Sequence, residues 1–542
     1  MGAQFVFLQR SLYLRILITM KKNLIYLITI LLLPIFSTAQ SNDLYFTKGL
    51  DLYNNKDYNG ALEYFTKEIE LNPSNAEAYN YEGIIKIQQG DFKAALEIFT
   101  KEIAVNSNND IAYSNRAFTK VSLNDFKGAI ADCDYAISLN PKSVLAYTNR
   151  GNAKTKLNDF NNALADYNKV LELDPNNASA FVNIGNVKLG IQDFKGALEN
   201  LNQAIKLNDK IPEAYLDRGI AKANLKDYYG AIDDFGKVIE LNPKEDMAYY
   251  FRGTQKGELN NYNDAVADFS QAISINPKNA DAYQARARAN FKLGNYGSAG
   301  DDLSKAIILS PENAEVYYQM AEVKLNTREY DEAIQNCNKA VGLKNDYGEA
   351  YFDRGLAKSY LNDFTGGIND FSRAIILLPK VEEAYYYRAI DRIQLNQNAL
   401  AMVDLDKTVA INPDYVNAYY YRGVVYMQTN NFSAAIPNLD KAIAGGINLP
   451  YAYLMRGFAY ANLKNNTPAL ADLTKAIELN SSNANAYFER GRVYFNMNNK
   501  AAAKADWVKS AALGNREAAM MLKYPPTKVK TNPTNNWVVW KK

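Results

Sequence analysis

The side chains able to do chemistry in this chain are few in kind and regular in spacing. Histidine is absent from all 542 residues, which removes the usual proton shuttle, the imidazole that activates Ser or Cys nucleophiles, and the commonest metal ligand. The two cysteines, Cys133 and Cys337, fall at one apolar position of a repeating pattern, six copies apart. A disulfide needs Cα atoms within about 7 Å, so both are read as small buried hydrophobes and not as a bridge. Charge recurs more strictly. Ten arginines share one position of the pattern, and nine of them are followed sixteen residues later by an aspartate, as in Arg116 with Asp132, Arg150 with Asp166, Arg252 with Asp268 and Arg490 with Asp506. No copy carries that aspartate without its arginine. Such coupling predicts partly buried ion pairs inside one structural unit, the alternative being an arginine row for ligand carboxylates.

Three further sets of residues have the chemistry of recognition. Asn115, Asn149 and Asn183 recur at a spacing of 34, and a row of side-chain amides can donate to and accept from an extended peptide backbone. Later in the chain aromatics gather: Tyr250-Phe251, Phe352, Tyr386-Tyr387, Tyr420-Tyr421 and Phe488. If exposed together they form a wall for a partner's apolar side chains or for sugar faces; otherwise they pack their own neighbours. A basic row runs Lys86, Lys120, Lys154, Lys188, Lys222, Lys256, Lys324, Lys358 and Arg392. It is either a set of stems covering apolar surface, with amines paired to local acids, or a track for an acidic ligand.

The elements that position these residues follow from the repeat. From Asn42 to Glu517 the pattern returns every 34 residues, fourteen times, without an insertion or deletion, and a fixed period of that size signals a solenoid. Position 4 is always aromatic (Tyr45, Tyr79, Tyr113), position 8 is Gly or Ala, position 20 is Ala except at Gly367, and position 32 is Pro in eight copies, including Pro73, Pro141 and Pro413. Large aromatics at positions 4, 17 and 24 beside the small residues give apolar faces at helical spacing. Asn and Asp at positions 15–16, as in Asn362-Asp363, start a second helix, and the proline closes it. The twelfth copy departs from the pattern: Asn438 stands where the aspartate belongs, beside Pro437, and the link reads Ala444-Gly445-Gly446-Ile447, a candidate hinge.

This signature resembles the tetratricopeptide repeat family across nearly the whole of residues 42–517. The resemblance implies an all-α fold, a right-handed superhelix (α-solenoid) of about fourteen helix-turn-helix units. First helices would line the concave side through positions 2, 5, 6, 9, 12 and 13, and each unit would complete its neighbour's core. Residues 518–524 would cap the open end, and 525–542, with Trp537 and Trp540, would be a disordered tail. The flanking Lys and Arg of the family's carboxylate-clamp motif have no match here.

The leader is read separately. Met20-Lys21-Lys22, the apolar run Leu24 to Phe36 and the small residues Ser37-Thr38-Ala39 resemble a bacterial secretory signal peptide at 20–39. Residues 1–19 then read as an upstream extension, with no membrane span left after cleavage, because the apolar run is short of the ~20 residues a span needs. The expected site is therefore exported: periplasmic, cell-surface or secreted. Formal net charge is +2 for the whole chain, too little to gather nucleic-acid phosphates. With no motif for nucleotide, metal or nucleophile and no non-repeat segment large enough for a catalytic domain, the expected protein is a non-catalytic scaffold without cofactors. Its partner is expected to be a protein or extended peptide, the alternative being an envelope glycan held by the tyrosines.

Overall fold

The computed structural model describes residues 44–524, so the expected signal peptide at 20–39 and the expected tail at 525–542 lie outside the described residues. Within that span there are twenty-nine α-helices and no strand. Fourteen successive pairs each hold a first helix, such as Ala76–Gln88 or Asp246–Glu258, and a second, such as Phe92–Val105 or Tyr262–Ile275. A last helix, Arg516–Lys523, packs on the second helix of the fourteenth pair, Lys500–Ala512.

Local chemistry sets these boundaries. Position 15 takes a left-handed backbone, at Gly90 with φ +80° and, without glycine, at Asn124 (64°), Asn362 (68°) and Lys226 (65°). Asparagine tolerates that region better than most L-residues. The aspartate that follows caps the second helix: Asp91 accepts from the Ala94 N–H at 3.1 Å and Asp125 from Gly128 at 2.9 Å, satisfying one of the donors a helix start leaves open. At the far end Asn75 and Asn177 cap the following first helices in the same way.

The two helices of a pair cross where position 8 meets position 24. A Cβ on Gly83 would lie 2.6 Å from the Phe99 ring, on Gly219 2.6 Å from Phe235, and on Gly491 2.7 Å from Trp507. Glycine therefore admits the large side chain. Where position 8 is Ala, position 24 is never aromatic: Ala117 goes with Cys133, Ala321 with Cys337, and Ala389 with Leu405. Both cysteines are free and fully buried. They occupy this volume-matched site, and burial pushes both thiols well above the ordinary range, which disfavours the nucleophilic thiolate.

The described residues divide into two compact units, one ending at Ala289 and the other beginning at Asn290. In the first, Leu189, Leu201, Phe235 and Phe251 belong to one buried cluster; in the second, Tyr419, Met427, Leu439 and Phe458 do so. Within each unit, first helices of neighbouring pairs pack on one another, as Asp110–Ser122 does on Val144–Lys156 and Ala314–Asn326 on Gly348–Tyr360. First helices thus form the crowded, inner side of each unit. In the twelfth pair the helix Phe432–Ala444 runs through Pro437. It ends at Gly445-Gly446, the latter at φ +102°, and Ile447 packs onto the adjoining cluster.

Candidate functional site

The recurrent charges form a cage between the helices of each pair. In the seventh pair Arg252 donates through Nε and Nη2 to the two oxygens of Asp268 at 2.9 and 2.7 Å, and Lys256 Nζ reaches the same carboxylate at 2.7 Å. The guanidinium also lies over the Tyr249 ring, 5.7 Å from its centroid, and the hydrogen bonds it donates to Asp268 hold it charged by raising its pKa. The same fork joins Arg116 to Asp132, Arg150 to Asp166 and Arg490 to Asp506. It is also made by Arg218, Arg354, Arg388 and Arg456. Asp268 is 4% exposed, so these are enclosed bridges in which loss of one partner is costly.

One feature of the cage was not legible in residue spacing. The remaining guanidinium nitrogen reaches back to the preceding pair, from Arg150 to Asp134 at 2.6 Å, Arg456 to Asp440 at 2.7 Å and Arg218 to Asn202 at 2.8 Å. One side chain therefore ties three helices. The basic row is spent on the same aspartates: Lys120 on Asp132, Lys154 on Asp166, Lys222 on Asp234, Lys358 on Asp370 and Arg392 on Asp404. Those amines serve the fold, which leaves little of a track for acidic ligands. In the twelfth pair the cage is incomplete. Arg422 keeps a 3.1 Å contact with the exposed Asp406, its enclosed Nε has no partner, and Asn438 turns away to donate to the Ala434 carbonyl at 2.8 Å.

Position 6 of the first helices forms the inner column. Asn115 and Asn149 are each 3% exposed, because this position points at the preceding first helix. Asn115 Nδ2 donates to Asn80 Oδ1 at 2.8 Å and Asn149 Nδ2 to the Ser114 carbonyl at 2.9 Å. Asn183 differs: it is half-buried, and its enclosed Nδ2 has no hydrogen-bond partner. One turn along, Asn152 accepts from the Tyr167 hydroxyl at 2.8 Å and Asn186 donates to Asp217 at 3.4 Å.

The aromatic residues mostly find each other. Phe251 is buried and stacks on Phe235 with centroids 5.5 Å apart, and Tyr250 leans on Phe269 at 5.8 Å. Phe352 meets Phe371 and Tyr387. Tyr386 is buried against Tyr387, Tyr415 and Tyr421, and Tyr420 is buried edge-on to Tyr421. Phe488 is buried in a cluster with Trp507. Tyr387, Tyr421, Tyr250 and Phe352 keep partial exposure. Nothing in these contacts favours sugar rings as ligands, which need open aromatic faces.

Buried acids form a further set. Glu102 is fully buried, accepts from Asn109 Nδ2 at 2.9 Å, and has its carboxyl pushed up to about 8 by desolvation. Glu68 occupies the same position one pair earlier, bonded to Asn72 and Asn75. In the inner column Asp353 and Glu489 are both pushed up to about 7 by burial. The signal for the column was present as Asp217, Gln319, Asp353 and Glu489, each 34 residues or a multiple of 34 from Asn183. Among the described residues no group of His, Cys, Asp and Glu is arranged to hold a metal ion, and no helix is long and apolar enough to cross a membrane.

Comparison with known proteins agrees with this architecture. Tetratricopeptide repeat models match residues 46–110, 144–177, 182–246, 314–347, 450–483 and 484–508, and a TPR repeat model matches 258–294; together they cover more than half of the chain. No curated protein matches. Among solved structures, the chain is similar to YrrB, described as a TPR protein with an unusual peptide-binding site, at 29% identity over 35% of this chain and 98% of that one, with TM-score 0.30. It is similar to a tetratricopeptide repeat protein from Parabacteroides merdae at 22% identity over 46% and 98%, with TM-score 0.36. It is also similar to the APC/C hetero-tetramer Cut9–Hcn1 at 18% identity over 89% and 96%, with TM-score 0.36.

Proposed function

The chain belongs to the tetratricopeptide repeat family, and from that premise we propose that it is a non-catalytic scaffold that holds protein partners, as extended segments, against the inner side of its first helices. The observation that carries this reading is the Asn183 amide. Its neighbours in the row, Asn115 and Asn149, have donors committed within the stack, whereas the Asn183 Nδ2 is enclosed without an acceptor. An enclosed amide donor without an acceptor is unfavourable, and a peptide carbonyl laid along the inner side supplies one without regard to sequence. The division of labour supports the same view: most charges at positions 7, 11 and 23 are used internally, and the residues that vary from copy to copy sit in the inner column.

The test is capture of an array of random dodecapeptides by the full chain and by Asn183→Ala and Asn115→Ala. One hydrogen bond is worth about 1 kcal/mol net, so Asn183→Ala is expected to lose about fivefold in affinity with little change in melting. Asn115→Ala is expected to lose stability while captured peptides bind folded protein as before. Equal affinity in the parent and Asn183→Ala refutes the assigned donor. We also propose export, supported by the leader Met20 to Ala39; a purified cellular form that still begins before residue 40 contradicts it.

A further inference from the structure

Building on the peptide-binding reading above, we propose that the neighbouring first helices Ala314–Asn326 and Gly348–Tyr360 form a socket for one cationic side chain, lysine or arginine, of the bound segment. The polar groups that meet there are acceptors. Gln319 is 8% exposed; its Nε2 donates to Glu315 Oε1 at 3.1 Å, and its Oε1 is enclosed with no partner. That amide has turned its donor toward one carboxylate and left its oxygen bare beside it. The Tyr347 hydroxyl donates to the other oxygen of Glu315. The Tyr318 hydroxyl, whose ring lies 4.9 Å from that of Tyr347, is hydrogen-bonded to Asp353. Both phenolic protons thus go to acids, and Glu322 and Glu349 add negative charge facing Asp353.

The charges around Asp353 do not neutralise it. Burial first, then repulsion from Glu322, pushes its carboxyl up to about 7; the Tyr318 hydrogen bond opposes this, and Glu349 adds a smaller repulsion. From the helix Tyr330–Leu343 it faces Cys337, whose thiol burial keeps protonated. Three cations of these helices and their links have other work: Arg354 forks onto Asp370, Lys324 pairs with Glu329 and Glu332, and Lys344 sits over the Tyr347 ring at 4.7 Å. A metal ion is disfavoured, since among the described residues no acid cluster has the spacing to ligate one. An ammonium or guanidinium group has several N–H donors and suits a wider ring of acceptors. It would satisfy Gln319 Oε1 and draw Asp353 into its charged form.

The experiment uses the full chain and an array of dodecapeptides in matched sets, identical in background and differing only in a central Lys, Arg, norleucine or Glu. The parent is expected to retain Lys and Arg members about tenfold more strongly than their norleucine counterparts. In Glu349→Gln/Asp353→Asn that preference is expected to vanish while capture of the norleucine set is unchanged. Should the double variant fold poorly, Gln319→Leu, which removes the bare acceptor at similar volume, is expected to reduce the same preference. A preference for cations that survives in these variants overturns the socket and leaves the scaffold reading intact. Absence of capture from every set overturns both.

Discussion

The seventh and twelfth helix pairs carry the same arginine in the same place and differ in what it meets. Arg252 is held by Asp268, with Lys256 as the third member on the same carboxylate. Arg422 finds Asn438 at the aspartate's position and Tyr426 at the lysine's, and leaves Nε enclosed without a partner. Fold is preserved in both pairs, so the cage does not dictate the helix pair. It decides how firmly the two helices and the preceding pair are tied, and the apolar crossing at positions 8 and 24 dictates the rest. Glu102 presents a third case, a buried carboxyl whose hydrogen-bond partner is an amide, and there the charge itself gives way.

The largest way to break this comparison is to remove the centre of a complete cage. Asp268→Ala leaves Arg252 and Lys256 together without their carboxylate, and loss of one partner of an enclosed pair costs about 3 kcal/mol or more. Because a repeat array can unfold in parts, hydrogen exchange is the suitable readout. Helices Asp246–Glu258 and Tyr262–Ile275 are expected to exchange far faster than in the parent, and unchanged protection there removes the cage from the account.

An intermediate effect is expected at Glu102. Its folded carboxyl is pushed above the ordinary value of 4.5 to about 8, so the folded chain holds a proton that the unfolded chain releases. The associated stability is complete below about pH 4.5 and is lost as pH rises through about 8. Glu102→Gln keeps an acceptor for Asn109 and has no proton to lose. Above pH 8 it is expected to exceed the parent by on the order of 1–2 kcal/mol, the advantage shrinking toward acid; identical pH profiles of denaturation count against it.

The smallest effect sharpens the comparison in the other direction. Asn438→Asp restores the missing carboxylate opposite Arg422, without a lysine at position 11, and is expected to stabilise by about 0.5–1 kcal/mol. The gain should disappear in Arg422→Met, which separates the new bridge from a general effect of added charge. A gain that persists in that background contradicts the assignment.

These residues also mark how far the sequence could be read. The period, the helix ends and the pairing of arginine with an aspartate sixteen residues on are local properties, and local spacing carries them. The exchange of Gly219 with Phe235 for Ala117 with Cys133 was equally visible, since it is a conservation of volume between two columns. Burial of Asn115 and Asn149 was not. Periodicity gives the side of a helix a residue lies on, and position 6 sits where the inner side turns toward the neighbouring helix. Whether an amide there is offered or consumed depends on an acceptor in the preceding pair, Asn80 or the Ser114 carbonyl. The tyrosines failed in the same way: adjacent rings at positions 5 and 6 are each other's nearest surface. The acids Asp353 and Glu489 stood in the column that the asparagines drew attention to, at the same 34-residue spacing; the spacing marks the column, whereas the desolvation of each acid depends on neighbours that spacing does not name.

The claim on which everything else depends is that partners lie along the first helices. Its most direct test is hydrogen exchange on the full chain with and without a peptide recovered from the array. Slowed exchange confined to first helices, including Ala178–Gly190, Ala314–Asn326 and Gly348–Tyr360, is the predicted result. Slowing confined to second helices such as Phe194–Leu207 and Tyr330–Leu343 would contradict it.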